Sequence, residues 1–128
     1  GIGSGILMLL FLVLTSGLSS QTPITILSKF DPSNGNNWLQ GLLGHLAVST
    51  IYGLTYAVGF HLLVTVWPAV KRFGWLMGLL FGLVLAVTAR SWLLPLTESV
   101  LLEIPAALFI PAHLLYGLTL GTLIMRKI

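Results

Sequence analysis

Cysteine is absent from this chain of 128 residues, which excludes disulfides, iron–sulfur clusters, thiolate zinc sites and cysteine nucleophiles together. Charge is scarce as well. Only 7% of residues are Asp, Glu, Lys or Arg, against 56% hydrophobic, whereas a water-soluble surface needs about a quarter of its residues charged. The solvent this composition suits is lipid. The six Lys and Arg give a net charge of +3, but they are scattered over short segments and make no stripe for a nucleic acid. Sequence signatures of chemistry are missing too: there is no phosphate loop, no dinucleotide fingerprint and no metalloprotease helix motif. Ser49, Ser91 and Ser99 belong to no recognisable His and Asp arrangement. The two acids Glu98 and Glu103 read as solvated loop residues, so no catalytic site is expected.

What is present is long apolar runs. A membrane span takes about 20 mostly apolar residues, and four segments qualify, at 2–20, 39–67, 73–94 and 100–125. The chain therefore reads as one all-α domain over 1–128, a bundle of four transmembrane helices. The first run ends in Ser-Gly-Leu-Ser-Ser-Gln and resembles a signal peptide, but no basic residue precedes it, so a retained helix is the expectation. Orientation follows from Lys71, Arg72, Arg126 and Lys127, because short basic loops stay in the cytoplasm. Both termini then lie inside, and the polar loop 21–37 and the Glu98 and Glu103 loop lie outside. Trp38, Trp67, Trp75 and Trp92 fall near the span ends, where indoles settle at the membrane interface. The loop 21–37 is expected to become ordered only by contact, with Ile24, Ile26, Leu27 and Phe30 as a short interfacial piece.

Two kinds of stripe stand out. Gly74, Gly78, Gly82 and Ala86 recur every fourth residue on the third helix, with Arg90 next in the row. Gly117 and Gly121 repeat the motif on the fourth, and Gly1 with Gly5 on the first. Small residues at this spacing let helix backbones approach in lipid, so helix packing is the primary reading, and a groove for a tail or pigment is the alternative. The second helix carries His45, Ser49, Tyr52, Tyr56 and Gly59 at spacings of four, three, four and three, on one face. The fourth has His113, Tyr116 and Gly117. Such polar groups lack partners among acyl chains and should point inward or against another protein.

At 1.5 Å per residue, His45, His113 and Arg90 all lie in the outer half of the membrane, about 5–10 Å from the ends of their helices. A buried charge needs a partner, and an ion pair of Arg90 with Glu98 or Glu103 is expected. Packing and hydrogen bonding account for the histidines most simply, with a tetrapyrrole between His45 and His113, or a proton or metal site, left open. His61 lies in the inner half, rotated about 160° from His45. Pro105 and Pro111 should kink the start of the fourth helix and free a carbonyl near His113.

The order of these residues resembles the YagU-like group of small four-helix bacterial membrane proteins. The resemblance rests on Gly1 to Met8, on His45 with Tyr52-Gly53 and Tyr56, on Gly78 and Gly82 followed by Pro95, and on Pro111-Ala112-His113 with Tyr116-Gly117 and Gly121. It implies a four-helix fold in a bacterial membrane and no reaction. From all of this the expected function is a non-enzymatic accessory subunit, multi-pass in the cytoplasmic membrane. It would contact lipid and the integral subunits of a larger respiratory or photosynthetic complex, and no nucleic acid. The alternatives are a haem- or chlorophyll-binding protein using His45 or His113, and a small oligomeric channel or transporter.

Overall fold

The computed structural model describes residues 1–128, the side chain of Ser19 excepted, and contains helices and no strand among the described residues. Helix α1 (Ile2–Thr15) runs into a tight 3₁₀ turn, Ser16–Ser19. A short α2 (Pro23–Ser28) leads to the long α3 (Trp38–Val66). A 3₁₀ turn, Pro68–Phe73, enters α4 (Gly74–Thr88), which continues through one π-helical turn, Ala89–Leu93, into α5 (Leu94–Leu96). After a further 3₁₀ turn, Val100–Glu103, the chain closes with α6 (Ala106–Met125).

Three of these stretches, Trp38–Val66, Pro68–Leu96 and Ala106–Met125, are long and apolar enough to cross a membrane. The first helix is shorter than the expected span 2–20. Gly53, about 22 Å along α3 from Trp38, lies against the backbone of Gly1, so α1 runs beside the N-terminal half of α3 only. The fourth span starts at Ala106 rather than near 100. Pro105 drives the residue before it out of the helical region, and Ile104 is extended at φ −71° and ψ 123°. Hydroxyls on these helices satisfy themselves: Thr50, Thr55, Thr65 and Thr122 each donate to the carbonyl four residues back, the low-cost solution where no water is at hand.

The π turn has a local cause. Pro95 has no N–H to offer the preceding turn, and the hydrogen-bond ladder slips so that Leu94 donates to the carbonyl of Ala89, five residues back. The helix continues past this point, so Pro95 does not end the span.

Helices α4 and α6 meet backbone to backbone. A methyl group at Gly78 would collide with the carbonyl of Gly117, one at Gly82 with the carbonyl of His113, and one at Gly121 with the carbonyl of Gly74. Ala86, fully buried, continues the row. The same device joins α1 to α3, where Gly5 faces Ser49 and Gly53 faces Gly1. Gly74 also lies beside Met125, with 2.8 Å between the side-chain position and Met125 Cβ, so the Lys71-Arg72 turn and Arg126-Lys127 share one end of the bundle. The four tryptophans are all exposed near span ends, as an aromatic belt requires.

At the other end the polar loop packs against the bundle. Ile26, Lys29 and Asp31 are buried, and Gly41 on α3 admits the carbonyl of Leu27 where any side chain would obstruct it. Thr22 caps α2 by accepting from Thr25 N at 3.2 Å. The Asp31 carboxylate accepts from Ser33 N at 2.9 Å, Ser33 Oγ at 2.7 Å and Asn37 N at 3.0 Å, and Asn37 in turn caps α3. The contact that accompanies the order of this loop is with its own bundle. Backbone N–H groups that favour the ionised form hold Asp31 below the ordinary carboxylate range, Asn37 N–H first and the Ser33 hydroxyl next. Lys29, its stem buried, pairs with Glu103 and ties this loop to the Val100–Glu103 turn.

Two outcomes are expected. Gly117→Leu should lower stability by about 1–3 kcal/mol, the usual cost of overpacking, in detergent unfolding titrations, whereas Gly59→Ala should not, since no atom lies within 4 Å of the added methyl. A carboxyl with a lowered folded pKa adds stability that is complete above its unfolded value of about 3.9 and disappears as pH falls through the folded value. Hydrogen-exchange protection of residues 21–37 should therefore hold at neutral pH and fade below that range, while in Asp31→Asn it should be weak at both.

Candidate functional site

Glycine joins α4 to α6 and α1 to α3, α1 also packs directly along α6, and two tyrosines add hydrogen bonds from α3 to the α4–α6 pair. Tyr116 on α6 donates to the carbonyl of Ser49 on α3 at 2.7 Å, and Tyr56 on α3 donates to the carbonyl of Gly74 at the start of α4 at 2.9 Å. Tyr56 also stacks on Phe60, ring centroids 5.6 Å apart, and tilts against Phe81 at 5.2 Å. These bulky rings keep α3 and α4 apart, and space remains on either side of them.

Toward the polar loop that space is a cavity of about 210 Å³. Its walls bring together His45, Ser49 and Tyr52 from α3 with His113 and Tyr116 from α6, five residues of the polar cluster expected from sequence. Met8 of α1 and Leu85, Ala89 and Leu93 of the α4 region supply apolar surface. Phe30 and Leu101, from the two loops at that end of the bundle, complete it, and the Lys29–Glu103 pair ties together the segments on which they sit.

Both histidines are held by main-chain carbonyls. His45 Nε2 lies 3.0 Å from the carbonyl oxygen of Gly5 and 3.3 Å from Ser49 Oγ, and Phe30 meets its ring edge-on at 4.7 Å. His113 Nδ1 lies 2.9 Å from the carbonyl oxygen of Phe109, one turn back, with the Phe109 ring at 4.3 Å. A carbonyl oxygen only accepts, so the facing nitrogen carries the proton in each case. The carbonyl that Pro111 leaves without a helical donor is that of Ala107; His113 uses Phe109 instead.

Several sequence expectations find other places. Arg90 makes no pair with Glu98 or Glu103: its Nη1 donates to the carbonyl of Ile104 at 2.8 Å and its guanidinium sits 5.7 Å from the centre of the Phe109 ring. The π turn carries Arg90 toward Ile104, whose extended conformation before Pro105 offers that carbonyl, and Glu103 is taken by Lys29. Tyr56 lies below the cavity and does not line it. Gly59 is on the exposed side of α3, and the buried row runs through Gly53, Tyr56 and Phe60 instead. His61 is exposed on the outer surface of the bundle. Met8, Phe30, Ala89 and Phe109 were invisible as site residues, because each is an ordinary apolar residue whose place depends on which helices become neighbours.

A tetrapyrrole does not fit, because the cavity, about 210 Å³, is smaller than the roughly 300–1,000 Å³ of sites that bury a drug-sized molecule. Among the described residues no three His, Asp or Glu side chains gather where they could hold a metal ion. No family model, no curated protein and no solved structure matches this chain.

Proposed function

We propose that this protein is a non-enzymatic accessory subunit of a bacterial cytoplasmic membrane, packing against a helix of a larger integral membrane complex. The observation that carries this reading is the open groove on the inner side of the α3–α4 seam, about 270 Å³, with Gly59 and Thr55 on one wall and Met77 and Phe81 on the other. Elsewhere in the bundle each small-residue row is filled by a second helix. Gly59 is the helical glycine of the long spans with no neighbouring atom, and it sits beside an exposed threonine in the half of α3 that α1 does not reach. A glycine on an open face lets a further helix approach closely, which is how helices associate when lipid offers no hydrophobic drive between them.

The orientation belongs to the same reading. The end with Lys71, Arg72, Arg126 and Lys127 faces the cytoplasm and the Asp31 loop faces out, with α1 as the fourth, shorter member of the bundle. The resemblance to YagU-like proteins agrees with this membrane placement.

Because the chain has no cysteine, single cysteines report cleanly. Asn34→Cys should react with an impermeant maleimide in intact spheroplasts, and Lys71→Cys only after permeabilisation; the reverse pattern overturns the orientation. A photoreactive residue at Gly59 or Leu63 should cross-link to one protein at defined stoichiometry in native membranes, while one at Leu123 should not. Cross-links to lipid alone at all three positions would sink the subunit reading.

A further inference from the structure

The outer cavity has properties that the subunit reading does not use. With its Nδ1–H held by Phe109, neutral His113 has only the Nε2 lone pair to offer, and this nitrogen has no protein partner among the described residues. His45 repeats the logic, since donation from Nε2 to Gly5 leaves Nδ1 as an acceptor. The Tyr52 hydroxyl, half-buried on the α3 wall, is likewise without a protein partner. The two imidazoles therefore present acceptors that ask for a hydrogen-bond donor, while the Tyr52 hydroxyl can donate as well as accept. No charged side chain lines it, so a charged guest would be taken out of water with nothing to balance it.

Size and shape narrow the guest further. A cavity of 150 Å³ lined by apolar groups admits benzene, and about 210 Å³ leaves room for a ring with a small polar substituent. Phe30 and Phe109 flank the two imidazoles and offer ring edges and faces of the kind that aromatic guests pack against. The way in is lateral. Val48 and Leu93, on opposite sides of the α3–α4 seam, both line the cavity and are 46% and 44% exposed, so the opening faces the acyl chains. The wall that Ala89 and Leu93 form is the π turn itself, a distortion that recurs at functional sites.

We infer that this cavity is a binding site for a neutral, lipid-soluble, single-ring aromatic alcohol, a phenol or the hydroxylated ring of a larger membrane-dissolved compound, whose hydroxyl donates to His113 Nε2. The guest enters between α3 and α4 and packs its ring against Phe109.

The test uses the whole chain in phosphatidylcholine nanodiscs with 4-fluorophenol and 4-fluoroanisole as probes, followed by ¹⁹F NMR against empty nanodiscs. The two are close in size, but only the phenol donates. Wild type should bind the phenol saturably and about tenfold more tightly than the anisole, the upper range for one net hydrogen bond. His113→Phe should bring the two probes to parity. Ala89→Leu and Val48→Phe, filling the cavity from opposite walls, should each abolish saturable binding. Equal affinity of wild type for both probes, or no saturable binding above empty nanodiscs, overturns the proposal without reference to any variant. So does phenol binding that persists in a filling variant that retains its helical signal.

Discussion

Everything in this bundle depends on backbone-to-backbone contact between α4 and α6. In lipid, apolar side chains gain little by leaving acyl chains for one another, so helices must associate through close packing and hydrogen bonds. Gly78 against the Gly117 carbonyl and Gly82 against the His113 carbonyl leave no room for a β-carbon on either helix. This contact fixes the height of α6 relative to α4, and with it the position of His113 and of the Tyr116 hydroxyl. The latter reaches across to Ser49 and sets where α3 and its glycine-packed companion α1 stand. A shift of α6 by one turn, about 5.4 Å, would take both residues out of the cavity.

The spans and the small-residue rows were legible because membrane burial imposes a length and close packing imposes a spacing, both of which are one-dimensional. The histidines and tyrosines were recognisable as inward-facing for the same reason: an unsatisfied polar group in hydrocarbon is costly wherever it falls. What failed was any inference that needed to know which helix lies beside which. The row His45, Ser49, Tyr52, Tyr56, Gly59 follows a spacing near 3.5, whereas the buried row shifts to Gly53, Tyr56 and Phe60. Along its length α3 changes neighbours, from α1 and α2 in its N-terminal half to α4 near the basic turn, and its buried face rotates with them.

Arg90 and Lys29 show the same limit for charge. Proximity in sequence favours Arg90 with Glu98 or Glu103, since all three sit around one turn. The fold instead brings Glu103 to Lys29, 74 residues away, and gives Arg90 a main-chain carbonyl. The decisive feature is a main-chain one, the slip of the ladder before Pro95; the proline marks where the helix is disturbed, but not which carbonyl Arg90 then meets. Likewise the polar loop was recognisable as a turn from its Asp, Asn and Gly content, yet its docking rests on Gly41 admitting the Leu27 carbonyl, a contact between a glycine and a backbone with no sequence signature of its own.

The cavity and the groove share one origin. The α4–α6 and α1–α3 seams are packed by glycine, but the α3–α4 seam has Tyr52, Tyr56 and Phe60 on the α3 side and Phe81 and Met77 on the α4 side. Two helices joined by a tight turn and then spaced by aromatic rings cannot close along their length. They touch where Tyr56 and Phe60 reach Gly74, the first residue of α4, and stand apart farther along that helix. The half nearer the outer loops is roofed by Phe30 and Leu101 and lined by histidines, which makes it a place for a small polar-ended molecule. The half nearer the basic turn has no roof and no titratable lining apart from Tyr56, which makes it a place for another helix. Tyr56 lines the groove and not the cavity, so replacing it with a small residue would alter the first surface and leave the lining of the second unchanged.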